Sequence, residues 1–163
     1  MKKPLTCLAV FPLILALLLS ACGKKQTEPK SKAEAICRKA LAVSDYGPMF
    51  QIPVNEYSER LQNDSFDLEQ IVDSAWYGCE KPSSNADEIR IFCMKDAASA
   101  KALAQIFEAQ LAKKLRVFRE LTISAQVKKL EQAEVVTQGN WVYLCVGENS
   151  AEMMDVIASE LRH

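Results

Sequence analysis

The side chains best suited to acid–base chemistry in this sequence are its carboxylates, because histidine is nearly absent. The only histidine is His163, the last residue of the sequence. Terminal residues are commonly mobile, so His163 is a poor candidate for positioned proton transfer. Asp64, Asp67, Glu69 and Asp73 lie close together in sequence. We interpret these carboxylates as helix caps and a solvated face, with carboxylate catalysis as the alternative.

Metal sites and phosphate loops of familiar kinds are not indicated by the sequence. An EF-hand loop needs Gly at its sixth position and Glu at its twelfth. A loop counted from Asp64 has Glu69 and Ala75 at these positions. The five glycines are widely scattered, so they form no glycine-rich phosphate loop. We therefore expect neither a metal ion nor a cofactor.

Four of the six cysteines, Cys37, Cys79, Cys93 and Cys145, would remain in an exported domain. Their spacing contains no Cys-x-x-Cys pair of the kind that usually binds zinc. Cys93 and Cys145 lie in strands that the sequence pattern predicts, and these strands are candidates for neighbours. This pair is therefore the candidate disulfide. Buried free thiols are the equally weighted alternative.

The N-terminal segment has the order of charged, apolar and small residues that is typical of a secretory signal. Lys2 and Lys3 precede an apolar run over residues 8–19. The sequence Leu19-Ser20-Ala21-Cys22 resembles the lipobox of bacterial lipoproteins. This resemblance implies that residues 1–21 are removed and that the Cys22 thiol carries a diacylglyceryl group. Two acyl chains give stable anchoring where one chain is marginal.

A single transmembrane anchor is the alternative interpretation, since residues 4–21 contain no charge. Pro12 inside the apolar run and the polar residues directly after Cys22 favour the removed signal instead. Residues 22–32 are then a lipidated, flexible tether, because residues 23–32 have no apolar side chain to bury. One domain of unknown function is expected over residues 33–163.

The charge distribution argues against nucleic acid as a partner. Residues 1–21 contain two of the 20 basic residues and none of the 21 acidic ones, so their removal leaves a net charge of −3. The tether holds four lysines and one glutamate, which leaves −6 for the residues from Ala33 onward. Nucleic-acid-binding domains instead carry clustered positive charge. The tether lysines favour an anionic membrane surface.

Hydrophobic periodicity predicts a single α+β domain. Apolar positions predict a short helix over residues 33–43, and residues 49–66 are expected to be a connection with one helical turn. The further predictions are a strand ending at Tyr77, a strand over 88–94, a long helix capped by Asp96, a hairpin of 134–137 and 141–146, and a last helix with a capping box of Asn149 and Glu152. This order predicts a small antiparallel sheet of about four strands with helices packed on one face.

Four aromatic residues in the predicted strands are candidates for the wall of a ligand groove: Trp76, Tyr77, Trp141 and Tyr143. Core packing is the favoured interpretation, because at least one face of such a sheet must pack under helices.

Residues 86–92, followed by a long amphipathic helix rich in basic residues, an apolar hairpin and a short closing helix, resemble a domain of unknown function found in lipoproteins of Gram-positive bacteria. The resemblance covers about residues 33–162. It implies a fold and a cellular location, and it implies no activity and no functional residue.

These observations predict a lipid-anchored protein on the extracytoplasmic face of the cell membrane, where a non-enzymatic domain binds an envelope protein or a small ligand. One alternative is a carboxylate-dependent envelope enzyme. Another is a small solute-capturing lipoprotein. The 142 residues that follow residue 21 are few for the two-lobed architecture usual in such receptors.

Overall fold

The structure is a computed structural model that describes residues 28–162. Its strands are β1 (Met49–Gln51), β2 (Ile71–Cys79), β3 (Glu88–Met94), β4 (Val135–Gln138) and β5 (Trp141–Val146). Its helices are α1 (Lys32–Ala42), α2 (Val54–Asn63), α3 (Ala97–Glu120), α4 (Ser124–Gln132) and α5 (Ser150–Glu160), with a short 3-10 helix at Leu68–Gln70. The strands form one antiparallel sheet in the order β1-β2-β3-β5-β4. The predicted α+β class is confirmed.

Strand β3 is the centre of the sheet and is buried along its whole length. Its residues alternate between two apolar faces: Ile89 and Ile91 point to one side, Phe92 and Met94 to the other. Helices therefore cover both faces, α1 and α5 on one and α2, α3 and α4 on the other. The sequence analysis expected about four strands with helices on one face. The described part of the chain has five strands and is covered on both faces, because a central strand that is apolar on both sides needs two covers.

The face of the sheet that α1 and α5 cover is here called the apolar face. Helix α1 packs on it through residues at helical spacing. Helix α1 buries residues spaced three and four apart, and these pack on β2, β3 and β5. Its buried apolar residues are Ala33, Ile36, Cys37 and Ala40. The hydroxyl of Ser31 accepts a hydrogen bond from the Glu34 N–H over 3.1 Å and so caps the helix. The predicted helix at 33–43 is thereby confirmed, with its start at Lys32.

The opposite face, here called the charged face, contains an aromatic cluster. Phe92 of β3 makes edge contacts with Phe107 of α3 and with Tyr57 of α2, at centroid distances of 5.3 and 5.5 Å. Helix α3 begins after Asp96, whose Oδ1 accepts a hydrogen bond from the Ser99 N–H over 2.7 Å. The predicted long helix and its cap are confirmed.

Residues 49–66 contain more regular structure than the sequence pattern predicts. They hold strand β1 and the ten-residue helix α2, which buries Tyr57 and Leu61 one turn apart. Apart from Val54 at its first position, the exposed positions of α2 are polar, so this helix depends on tertiary packing rather than on a long apolar stripe. Helix α4 was also not predicted, and Leu130 is its one buried residue.

Local sequence signals predict the turn between β4 and β5, but they do not predict the hydrogen-bond partner of Asn149 before α5. The hairpin of β4 and β5 turns where Gly139 adopts a φ of +62°, a conformation that favours glycine. Asn149 precedes α5 but makes no side-chain cap. Its Nδ2 instead donates to the carbonyl oxygen of Val43 over 2.6 Å and joins the end of α1 to the start of α5. The predicted capping box with Glu152 is therefore wrong.

Candidate ligand-binding cleft

A buried ion pair lies at the start of strand β3, on the charged face of the sheet. Glu88 and Arg90 are two positions apart and so point to the same side. Oε2 of Glu88 accepts hydrogen bonds from Nη2 and Nε of Arg90 over 2.9 and 3.2 Å. Each residue is only 5% exposed. The ammonium of Lys114 from α3 donates to the second carboxylate oxygen over 3.2 Å, which satisfies the carboxylate on both sides.

The charge state of Glu88 follows from this surrounding. Desolvation opposes ionisation of the buried carboxyl, but the attraction and the hydrogen bonds of Arg90 and Lys114 outweigh it and lower the pKa of Glu88 below its ordinary value. Glu88 is therefore an anion at neutral pH. A fixed anion suits electrostatic positioning, whereas a general acid requires a raised pKa.

The Arg90 side chain connects this ion pair to aromatic rings and to the protein surface. Its guanidinium carbon lies 3.8 Å from the ring centroid of Trp76 and 4.8 Å from that of Phe107. Nη1 donates to Oε1 of Gln110 over 2.5 Å, and Nε2 of Gln110 donates to Oδ2 of Asp64 over 2.6 Å. A continuous chain of polar contacts therefore runs from the central strand to the exposed end of α2.

Two surface concavities meet at this chain and share Arg60 and Trp76 in their walls; together they are here called the Trp76 cleft. The first has a volume of about 810 Å³ and lies between α2 and α3, and we call it the Gln110 concavity. The second has a volume of about 490 Å³ and lies beside Glu88 and Lys114, and we call it the Glu88 concavity. Both volumes are in the range of small-molecule sites.

The two concavities carry opposite charge. The Gln110 concavity has Arg60 and Lys113 against one carboxylate, Asp64. The Glu88 concavity has four carboxylates against two cations, Arg60 and Lys114. The four carboxylates belong to Glu56, Glu80, Asp87 and Glu88. Arg60 stands at the boundary, where it pairs with Glu56 and lies 5.5 Å from the Trp76 ring centroid.

The predicted carboxylate group does not form one site. Asp67 caps the 3-10 helix by accepting from the Glu69 N–H over 3.0 Å, as its interpretation as a cap predicts. Asp73 accepts from the Ala33 N–H over 2.9 Å and so fixes the start of α1 to β2. Only Asp64 lines the Trp76 cleft. Asp64, Asp67 and Asp73 therefore hydrogen-bond to separate parts of the structure.

The predicted disulfide between Cys93 and Cys145 is wrong. In the register of β3 and β5, Cys93 lies opposite Trp141 and Cys145 lies opposite Ile89. The two cysteines are thus separated by four positions along the strands, or about 13 Å. A disulfide requires Cα atoms within about 7 Å. The alternative interpretation holds in the structure, where the free thiols are those of Cys37, Cys79, Cys93 and Cys145.

The four aromatic candidates are divided between the two faces. Trp76 lies on the charged face and lines both concavities, although it is only 3% exposed because Arg60 and Arg90 cover it. Tyr77 and Tyr143 are buried on the apolar face. Trp141 is half-buried there, with the ammonium of Lys32 5.8 Å from its ring centroid. Core packing is thereby confirmed, and only Trp76 contributes to a groove.

The residues that build the cleft were not predicted, although the sequence contains one signal for them. Glu88 and Arg90 are charged residues at alternate positions of an otherwise apolar strand, on the same side as Phe92. Charges on the buried side of a strand are costly unless they are paired. The pattern therefore indicates a buried ion pair, while its partners Lys114 and Gln110 on α3 are brought there only by the fold.

Several predictions concern residues outside the described range. The signal over 1–21, the lipidation of Cys22 and the position of His163 are among them, and the lipid anchor stays a prediction. Among residues 28–162, no helix is long and apolar enough to cross a membrane. The same residues contain no group of three or more His, Cys, Asp or Glu side chains that could hold a metal ion.

Comparison with known proteins finds no family model, no curated protein and no solved structure that matches this chain. The resemblance to a domain of Gram-positive lipoproteins therefore stays a prediction. The geometry of the cleft and the N-terminal sequence are the features that point to a function.

Proposed function

We propose that this protein is a lipid-anchored, extracytoplasmic binding domain that holds a small polar ligand in the Trp76 cleft. The observation that carries the proposal is the buried ion pair of Glu88 and Arg90, in which each side-chain nitrogen and oxygen makes a hydrogen bond and Glu88 lines a cleft of ligand size. Binding sites commonly combine a few fixed polar groups with an apolar wall. Trp76 and Phe66 supply that wall.

The charges of the Gln110 concavity favour a ligand with an anionic group. Asp64 already accepts a hydrogen bond from Gln110, and Arg60 is half-exposed. Lys113 makes no ion pair with the other described residues. A carboxylate or phosphate in this concavity would meet two cations, and the side-chain amides of Asn63 and Gln105 offer further hydrogen bonds.

The carboxylates of the cleft favour binding over acid catalysis. Glu88 is held as an anion by Arg90 and Lys114, and Asp87 pairs with Lys129 over 2.8 Å. A carboxylate-dependent hydrolase would need one carboxyl with a raised pKa beside another that is ionised. The ion pairs oppose that arrangement.

The proposed anchor is supported by the sequence around Cys22 and is tested separately from the cleft. Full-length protein should be recovered with the membrane fraction, and intact-mass analysis should show a diacylglyceryl group on Cys22 and no residues 1–21. The Cys22→Ala variant should lose the lipid and leave the membrane fraction. An unmodified Cys22 with residues 1–21 still attached would contradict the anchor.

The cleft is tested by titrating the lipidated protein in detergent with a panel of L-amino acids, dipeptides, sugar phosphates and neutral disaccharides. We expect anionic members to shift the NMR signals of the Trp76 indole and the Gln110 amide. The double variant Arg60→Ala/Lys113→Ala should weaken this binding about tenfold or more, because each charge-assisted hydrogen bond contributes about 1.5 to 3 kcal/mol.

The matched control is Arg116→Ala/Lys128→Ala, which removes two exposed cations that line neither concavity. It should bind as the native protein does. Equal binding by both double variants would contradict the proposed site. Hydrolysis of a panel member that is lost in Asp64→Asn would favour the carboxylate enzyme instead.

A further inference from the structure

The two most exposed large apolar side chains described in this protein lie next to the point where the tether enters the domain. Val54 is 64% exposed and Val72 is 63% exposed. Both border a surface concavity of about 420 Å³ that is also lined by Lys30 and Ser31, directly before α1. Exposed apolar groups beside one another are typical of interaction surfaces.

The backbone holds both valines outward. Val72 sits at an irregularity of β2, where the pairing with β3 passes from Ile71 directly to Asp73. An extra residue of this kind is left unpaired and re-aims its side chain. Val54 is the first residue of α2, after Pro53. The two side chains are therefore carried by regular elements of the domain rather than by a loop.

The chain enters the domain at a fixed position on this surface. The N–H of Lys30 donates to Oε2 of Glu34, and the N–H of Ala33 donates to Oδ2 of Asp73, both over 2.9 Å. Nine residues separate Cys22 from Lys32, so the Cα atoms of these two residues lie at most about 35 Å apart even in a fully extended chain. A lipid on Cys22 would thus keep this surface close to the bilayer.

The charges near this surface favour an anionic bilayer. Four lysines lie on or before the first residue of α1: Lys24, Lys25, Lys30 and Lys32. Among the acidic residues, Glu28 lies in the tether sequence, and Glu34 and Asp73 line the same concavity as Lys30. Glu34 is buried and paired with Arg38, and Asp73 is engaged by the Ala33 N–H. Lysines near an anionic membrane surface each favour the bound state.

We propose that the surface formed by Lys30, Val54 and Val72, here called the bilayer face, rests against anionic lipid headgroups and fixes the orientation of the domain. This inference depends on the proposed lipidation of Cys22. The apolar side chains of the bilayer face enter the headgroup boundary, while the tether lysines remain at the headgroups. This contact holds the lipid-anchored domain in one orientation relative to the bilayer.

The test uses the full-length lipidated protein in vesicles of phosphatidylethanolamine and phosphatidylglycerol that contain brominated acyl chains. Tryptophan replaces one exposed apolar residue at a time, in Val54→Trp and Val72→Trp. The fluorescence of Trp76 and Trp141 is measured in the native protein and subtracted from that of each variant. We expect bromine quenching of the new tryptophans to be roughly twofold stronger than in a distant control, because the bilayer face reaches the acyl boundary.

The control is Leu121→Trp, at a residue that is also apolar and 54% exposed. Leu121 follows the last turn of α3, a 24-residue helix about 36 Å long. The first turn of α3 contacts Gln70 beside the start of β2, through a Ser99 hydroxyl 3.1 Å from Gln70 Oε1. Leu121 therefore lies far from Val72.

The outcomes separate the two proposals. Equal quenching at all three positions, in protein that sediments with the vesicles and carries the lipid, overturns the bilayer face and leaves the anchor intact. Native protein with an unmodified Cys22 that does not sediment with the vesicles overturns both. Loss of the quenching difference in vesicles of phosphatidylcholine alone supports the role of anionic headgroups.

Discussion

Strand β3 presents different chemistry to the two faces of the same sheet. Toward α1 and α5 it presents Ile89 and Ile91, which pack among apolar side chains. Toward α3 it presents Glu88 and Arg90, whose ion pair is buried beside Phe92. The ion pair of β3 thus lies on one side of the sheet, and the Trp76 cleft opens on that side.

This difference accords with the proposed function, in which the charged face binds a ligand and the apolar face contributes stability. A buried ion pair commonly stabilises a fold no better than apolar side chains of the same volume, since desolvation offsets the attraction. On the apolar face, α1 and α5 cover β3 with apolar contacts. The proposed ligand site in the adjoining cleft gives a reason for the buried pair of Glu88 and Arg90 that the free energy of folding does not supply.

Breaking the ion pair should have the largest effect on stability. Glu88→Ala leaves the buried Arg90 guanidinium without its carboxylate, and we expect the free energy of unfolding to fall by about 3 to 5 kcal/mol. Urea denaturation followed by circular dichroism measures this loss.

The double variant Glu88→Leu/Arg90→Met sharpens the same comparison by making the charged face resemble the apolar one. It should unfold at nearly the native urea concentration, because no buried charge of β3 is left unpaired and Lys114 still donates to the carbonyl oxygen of Ala86. It should also lose ligand binding. A double variant as unstable as Glu88→Ala would show that the pair is needed for folding itself.

Close packing on the apolar face should give the next largest effect. A Cβ on Gly147 would lie 1.9 Å from Cε1 of Tyr46, so Gly147→Ala should lower the free energy of unfolding by about 1 to 3 kcal/mol. Thermal and urea unfolding measure the change. Tyr46→Ala/Gly147→Ala should be no less stable than Tyr46→Ala, because the contact with the Tyr46 ring is already removed. A further loss of stability in the double variant would show that the added Cβ clashes with another residue.

The pH dependence of stability should differ between native protein and Glu88→Gln. The pKa of Glu88 is lower in the folded state than its ordinary value of 4.5. Its contribution to stability is therefore present above about pH 4.5 and is lost as the pH falls through the folded-state pKa. Unfolding measured from pH 7 down to pH 3 should show a steeper loss in the native protein. Parallel curves would contradict the assigned charge of Glu88.

The smallest effect is expected for an exposed ion pair beside the apolar face. The Nζ of Lys39 on α1 lies 2.7 Å from Oε2 of Glu160 on α5, and both side chains are accessible to water. Lys39→Ala should cost less than about 1 kcal/mol. The matched variant Lys129→Ala breaks the mostly buried pair with Asp87 and should cost more. Equal losses would remove the energetic distinction between the two faces.

The elements predicted well from sequence are those with strong local signals. Strand β3 has the predicted bounds, α3 begins after the predicted Asp96 cap, and Gly139 turns the predicted hairpin. Alternation, a capping side chain and a left-handed glycine each act within a few residues. Helices α2 and α4 lack such signals, because each buries only one or two side chains and depends on its neighbours.

The sequence by itself determined the α+β class, the strand over residues 88–94 and the long helix capped by Asp96, because side-chain alternation, helical periodicity and capping are local properties. Only the tertiary structure decided that helices cover both faces, that Cys93 and Cys145 lie four positions apart, and that Lys114 and Gln110 meet Arg90. These facts depend on strand register and on contacts between distant segments. No local pattern in the chain encodes which residues become neighbours across a sheet.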